Sequence, residues 1–288
     1  LSGHSARLDA DRLAAIKREA ADAFPHAAGA SHRAELREWA VKQLDGFSHQ
    51  YFATTPLAQM VADLQALRAL QPGDVLTSGV YDPATRTTEY RVIASATVAD
   101  GCFHKMAGVL SAKRLEILGA TIETTVDGTV VDRYRVIDPD HDGVVPEWRI
   151  AEVTAALREA LQTRVDIPQL IRRHQAYGAA DRAAPLSGLP LQVSTDTDTS
   201  DRCTIIDVFA HDRPGLLFVL TRTLYELGLS VDVAKISTHL DQVVDVFYVT
   251  TRDGKKITDE PTLRTIRDTL LGRLREFEAE EHTRFART

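Results

Sequence analysis

The sequence carries only two cysteines, Cys102 and Cys203, in 288 residues. That excludes a disulfide framework and leads us to expect a reducing compartment, the cytoplasm. A basic excess is also missing: 34 Lys and Arg stand against 41 Asp and Glu, a net charge of −7. General nucleic-acid binders carry the opposite sign, so that class is set aside. No apolar run approaches the ~20 residues of a membrane span. The start, LSGHSARLDADRL, has no apolar segment of the kind a secretory signal needs. The first residue is Leu rather than Met, as expected of a processed product or a fragment of something longer. There is no Gly-rich phosphate loop with its lysine, and no Ser or Cys nucleophile beside a convincing His.

What is there is an ordinary globular composition, 44% hydrophobic and 26% charged, in a chain long enough for roughly two domains. It also contains a repeat. YRVIASATVADGCFHKMAGVLSAKRLEILGATIETTVDG (90–128) recurs as the pattern of 204–242, shifted by 114 residues. Matched pairs include Ala96/Ala210, Gly101/Gly215, Leu110/Leu224, Leu115/Leu229, Ala120/Ala234, Ile122/Ile236, Thr124/Thr238 and Asp127/Asp241. One extra residue in the first hairpin then moves the shift to 113, which pairs Asp132 with Asp245 and Val136 with Val249. A repeat of this length means one small fold used twice.

Periodicity predicts helices over 8–44, broken near Pro25 and Gly29, with Leu13, Ile16 and Ala20 on one stripe and Leu36, Trp39, Ala40 and Leu44 on another. A further helix over 57–70 carries Met60, Val61, Leu64 and Leu67, with Thr55 as its N-cap and Pro56 at its first position. Residues 1–72 thus form a helical N-terminal segment. Strands follow at 75–80 and 88–97. The first repeat adds helix 101–114, strands 116–126 and 129–137 around the turn Asp127-Gly128, and helix 146–163. Residues 73–163 make a first domain, to which a short strand at 189–194 returns. Residues 164–200 are a linker with a solvated basic cluster, Arg172-Arg173-His174, then Gly178, Pro185 and Gly188; 195–200 is a polar loop. Residues 201–288 make a second domain: strand 203–210, helix 214–228, strands 229–240 and 242–251, helix 259–279. Each repeat is β-α-β-β-α with a final strand to be added, an α+β class of ferredoxin-like order. Thr204, Ile206, Val208 and Ala210 alternate with Ile205, Asp207, Phe209 and His211, which predicts a sheet with one face buried more fully.

One stretch joins strand to helix in a chemically suggestive way: His211-Asp212-Arg213-Pro214-Gly215-Leu216-Leu217. Asp212 can cap the helix, Pro214 suits its start, and Gly215 leaves room for another group to approach the first turn. The orphan amides there would suit a carboxylate, although a well-capped helix alone accounts for the same residues. The first repeat has Val98-Ala99-Asp100-Gly101 in its place. His211-Asp212 and His141-Asp142 lack the further ligands of a metal site. Asp138, Asp140 and Asp142 begin like a calcium loop, but Arg149 stands where the bidentate acid belongs. Cys102 reads as a small buried residue at a helix start. No metal and no cofactor is expected in this chain.

The DRPGLL loop, followed by Gly-Leu-Ser-Val, AKIST and VVDVFYVT, resembles an ACT domain, a small-molecule-sensing βαββαβ module. With LSAKRLEILGATIETTVDGTVVDRYRV before it and Tyr51-Phe52-Ala53-Thr54-Thr55-Pro56 further upstream, the sequence is similar over 50–288 to the tandem C-terminal ACT domains of bifunctional PII uridylyltransferase/uridylyl-removing enzymes. The resemblance implies two ferredoxin-like ACT domains that sense an amino acid, glutamine, without catalysis. The family's catalytic signatures, a Gly-Ser pair with metal-binding aspartates and an HD phosphohydrolase site, are not in this sequence. Implied ligand residues are Asp212, Arg213, Pro214, Gly215, Leu216 and Leu217, completed by Ala234, Lys235, Ile236 and Ser237 or by Gly119 to Thr121. The ligand's carboxylate would meet amides around Gly215 to Leu217, and Asp212 its ammonium group. A weaker first-repeat site would use Asp100, Gly101, Cys102, Phe103, Gly119 and Ala120. Implied partners are the catalytic domains of a parent protein, a PII-type protein, and a second copy through the ACT sheets. The alternative is a stand-alone ACT-repeat binding or scaffolding protein.

Overall fold

The computed structural model of the chain describes residues 10–27, 32–163, 165–176, 190–211, 213, 215–236, 238–239 and 242–285. Among the residues singled out above, Gly29, Gly178, Pro185, Gly188, Leu189, Asp212, Pro214, Ser237 and Asp241 lie outside them. The chain divides into two compact units. The first takes the residues up to Leu76 with 92–100 and 123–132; the second takes 77–91, 101–122 and everything from Arg133.

The first unit is built from α1 (Ala10–Ala27), α2 (Arg33–Asp45), α3 (His49–Thr54) and α4 (Leu57–Ala69). The predicted stripes supply its core: Ala20, Ala40, Leu44, Met60 and Leu64 are fully buried, with Leu13, Ile16, Leu36, Trp39 and Leu67 packed around them. Three details differ from expectation. Pro25 lies inside α1 instead of ending it, and it is buried, so its packing offsets the backbone bond it cannot donate. Residues 49–54 form a helix of their own. Ser48 caps it by accepting the Tyr51 N–H, and donates its own N–H and hydroxyl to the buried Glu123 carboxylate at 2.7 and 2.6 Å. Thr55 ends α3, and Pro56 takes the N-cap of α4. The Tyr51 hydroxyl donates to Asp63 at 2.7 Å, which satisfies two buried polar groups at once. The Asp127-Gly128 turn forms as read, with Gly128 at φ +83°.

The remaining elements are β1 (Val75–Asp82), β2 (Thr87–Ala94), α5 (Cys102–Ala112), β3 (Glu116–Thr124), β4 (Val130–Ile137), α6 (Glu147–Gln162), α7 (Ile167–Ala176), β5 (Gln192–Asp196), β6 (Thr204–His211), α8 (Leu216–Glu226), β7 (Leu229–Lys235), β8 (Thr238–His239), β9 (Gln242–Thr251) and α9 (Glu260–Phe285). In the second unit the strands lie in one sheet, ordered β1-β2-β4-β3-β7-β9-β6-β5, with the two-residue β8 beside β9. α5 packs on α6 and α8, and α8 on α9, so the four helices form a row along the sheet.

Each repeat does have four strands, but the fourth comes first: β1 pairs with β2, and β5 with β6 in the register Gln192↔Phe209 to Asp196↔Ile205. The strand expected at 189–194 therefore sits at 192–196 and belongs to the second repeat's sheet, not the first's. The span expected to be a linker holds α7 as well as β5. On β6, Thr204, Ile206, Val208 and Ala210 are all buried; on the other face Ile205 is buried too, but Asp207 and His211 are half-buried and Phe209 is 40% exposed, so one face is buried more fully, as predicted.

Where the expected calcium ligand was replaced by Arg149, the guanidinium does the opposite of leaving a metal site. Its Nε donates to Asp138 at 2.8 Å, one amino group donates to Glu152 at 2.9 Å, and the other donates to the Lys113 carbonyl at 2.7 Å. Hydrogen bonds from Lys113 and Arg149 hold the Glu152 carboxyl below its usual range.

Candidate functional site

Two strand-to-helix loops are equivalent in the repeats, and both turn on glycine. Gly101 caps α5 at φ +66° and Gly215 caps α8 at φ +92°. Both lie in the left-handed region, where an L side chain costs about 1–2 kcal/mol. The match Gly101/Gly215 therefore has a backbone cause. The Leu216 N–H donates to the Arg213 carbonyl at 3.0 Å, and the Val219 N–H to the Gly215 carbonyl at 3.1 Å; in the first repeat the Lys105 N–H reaches the Gly101 carbonyl at 3.2 Å. α8 begins at Leu216, later than expected, and Gly215 itself is the N-cap.

Leu216 and Leu217 are buried, so they present backbone rather than side chains to any ligand at this loop. Arg213 is half-buried. The space above Gly215 is not open as the sequence suggested. A Cβ at position 215 would stand 3.4 Å from Ile171 Cγ2 and 3.7 Å from its Cδ1, so α7 rests on the loop. At Gly101 the equivalent volume is taken by the chain's own His104. Cys102, the first residue of α5, is buried as predicted, and Phe103 stacks on Tyr134 with centroids 6.2 Å apart. Asp100 is exposed.

The strand residues are brought together more closely than the sequence implied. β3 and β7 pair antiparallel in the register Gly119↔Lys235, Ala120↔Ala234, Thr121↔Val233. The Ile236 N–H extends that pairing to the Leu118 carbonyl at 3.3 Å. The two repeats thus join edge to edge within one chain. Ala234 and Ala120 are buried, and the exposed Lys235 places its ammonium 5.3 Å from the Tyr248 ring centroid.

Other residues near the loop were not foreseen. His211, read as half of a metal dipeptide, has its Nδ1 2.6 Å from Glu278 on α9. No local signal could have named a partner so distant in sequence. Ile167 and Ile171 could have been found: they stand at i, i+4 in an apolar spacing just ahead of the Arg172-Arg173-His174 cluster, whose side chains lie outside the described residues. Just before β6, the Cys203 thiol donates to Asp232 of β7 at 3.3 Å, and burial pushes that thiol up to about 12. Burial also raises the Asp232 carboxyl. Among the described residues, no group of three or more His, Cys, Asp or Glu is placed to hold a metal, and no helix is long and apolar enough to cross a membrane.

The repeats are paired and ferredoxin-like, joined through their second strands, and each enters its first helix through a glycine; residues 199–276 match the profile of the ACR family N-terminal ACT domain. Over more than half of its length the chain is also similar to bifunctional uridylyltransferase/uridylyl-removing enzymes. That of Erythrobacter litoralis is 36% identical over 172 residues, 59% of this chain and 18% of that protein. That of Gluconobacter oxydans is 34% identical over 217 residues, 75% of this chain and 22% of that protein. That of Rhodopseudomonas palustris is 30% identical over 241 residues, 81% of this chain and 25% of that protein. The chain thus spans about a quarter or less of the length of the curated relatives it matches.

Proposed function

We propose that this chain is a non-catalytic, amino-acid-sensing tandem ACT region of a PII uridylyltransferase-like nitrogen regulator, with glutamine as its effector. The observation that carries the reading is the glycine-capped loop at Arg213–Leu217, in a domain whose strand β7 is zipped to β3 of the other repeat. A helix N-terminus favours a carboxylate through its unpaired first-turn amides and the helix dipole. The ligand's ammonium group would be met by Asp212. Two repeats sharing one sheet can pass a small change at one loop to the other, provided the ligand binds one arrangement more tightly.

On this reading the partners are the catalytic domains of a parent protein and a PII-type protein, the compartment is the cytoplasm, and no metal or cofactor is held in this region. A homodimer through the ACT sheets would have to use surfaces other than the β3–β7 edges, which pair within the chain. The test is calorimetry of the chain against the common amino acids. Saturable binding of glutamine, lost on removing its α-carboxylate, is the expected result. Binding of none of them would overturn the proposal.

A further inference from the structure

The repeats are matched in sequence, yet one element has no counterpart in the match: α7, which leads from the first repeat towards the second. Its contacts are specific. Gly108 makes a notch in α5, for a Cβ there would stand 2.2 Å from Ile167 Cγ2 and 2.8 Å from the Phe218 ring. One turn later on the same face of α7, Ile171 lies against the Gly215 cap. Ile167 and Ile171 are 5% and 7% exposed, whereas Asp166 and Gln169 face solvent. At the first-repeat cap the nearest group is His104 of α5 itself.

We infer that α7 is a displaceable strap over the second repeat's effector loop, held by Ile167 in the Gly108 notch and by Ile171 on Gly215. The inference rests on the effector reading above. A ligand group lying over the Cβ side of Gly215 and larger than a methyl would need the Ile171 methyls, 3.4 and 3.7 Å from that position, to move aside. Ligand binding and strap docking therefore compete, and each shifts the other's equilibrium by the same factor. A ten-residue helix is too short to persist undocked in water. Its release would be a local unfolding that withdraws Ile167 and Ile171 from α5 and from the Gly215 cap. The state of the loop would thereby be reported to the segment between the repeats.

The experiment uses the full chain with glutamine as probe. Amide hydrogen exchange is followed over 167–176 and, as a reference, over α6; calorimetry is run on wild type and on Ile171→Ala. Expected are a tenfold or greater acceleration of α7 exchange on saturation, an unchanged α6, and a tenfold or greater tightening of glutamine binding in Ile171→Ala. If glutamine binds both proteins equally and leaves α7 exchange unchanged, the strap is wrong while the effector reading stands. If glutamine binds neither, the effector reading fails and takes the strap with it. The wild-type exchange measurement decides the matter even if the variant does not fold.

Discussion

Ala120 faces Ala234 across the β3–β7 seam, and each is the other's equivalent in the repeat. Their neighbours obey the same rule: Gly119 opposes Lys235, and Thr121 opposes Val233, in positions exchanged by the 114-residue shift. The seam therefore has a local two-fold axis through the alanine pair, an isologous interface of the kind that usually joins two copies. Both alanines are buried, so Ala120→Leu and Ala234→Leu should overpack the same place from opposite sides. Each should destabilise by about 1–3 kcal/mol. Urea melts of the two variants should agree closely, and a large disparity would argue against the axis.

The two glycine caps separate backbone strain from ligand binding. Gly101→Ala and Gly215→Ala both force a Cβ into a positive-φ position; Gly215→Ala should lose about 1–2 kcal/mol of stability, and Gly101→Ala more, because its Cβ must also displace the His104 ring. If the second repeat carries the effector site, only Gly215→Ala should also weaken glutamine binding beyond what the melt accounts for. Paired calorimetry and melts check this; equal binding losses in both variants would count against a second-repeat site.

Arg149 and Asp138 form a buried ion pair, with side chains 10% and 1% exposed. Removing the cation alone leaves a carboxylate without its partner away from water. Arg149→Leu should cost about 3–5 kcal/mol. Adding Asp138→Asn should recover part of it, because the orphan charge is gone. A double-mutant cycle by denaturant melts measures the recovery; strict additivity would mean the pair is not coupled.

Asp232 sets a pH dependence. Burial raises its carboxyl above the ordinary 3.8, so the native state holds that proton more tightly than the unfolded chain does. Stability from this group is present below pH 3.8 and is lost as pH rises through the native value. Asp232→Asn should therefore raise the melting temperature at pH 7, with the advantage shrinking towards pH 4. A gain that does not change with pH would place its cause elsewhere.

Elements with local signals were legible in the sequence. The alternation on β6, the Asp127-Gly128 turn and the helical stripes of α1, α2 and α4 emerged where they were read, because burial of one face is written into spacing. Pairing partners were not. β5 looks the same on paper whether it joins β2 or β6, and only its hairpin with β6 decides. α3 and α7 were missed for opposite reasons: α3 spans six residues, too short for a period, and the Ile167–Ile171 spacing in α7 runs into three basic residues. At the candidate site the loop's glycines were found, but their backbone angles, the Ile171 contact and Glu278 beside His211 all depend on neighbours distant in sequence.

That each repeat's outer strand is made before the strand it borders has a consequence for any attempt to cut the molecule. A fragment beginning at residue 201 would keep every residue of the matched repeat yet lose β5. It would leave β6 with a row of unpaired backbone donors and acceptors beside the exposed Phe209. Such an edge is a template for chain-to-chain association. A fragment beginning at 190 would keep β5 over β6, so eleven residues that look like connecting sequence decide whether that edge is covered; in either fragment β7 loses β3 and is left as the open edge.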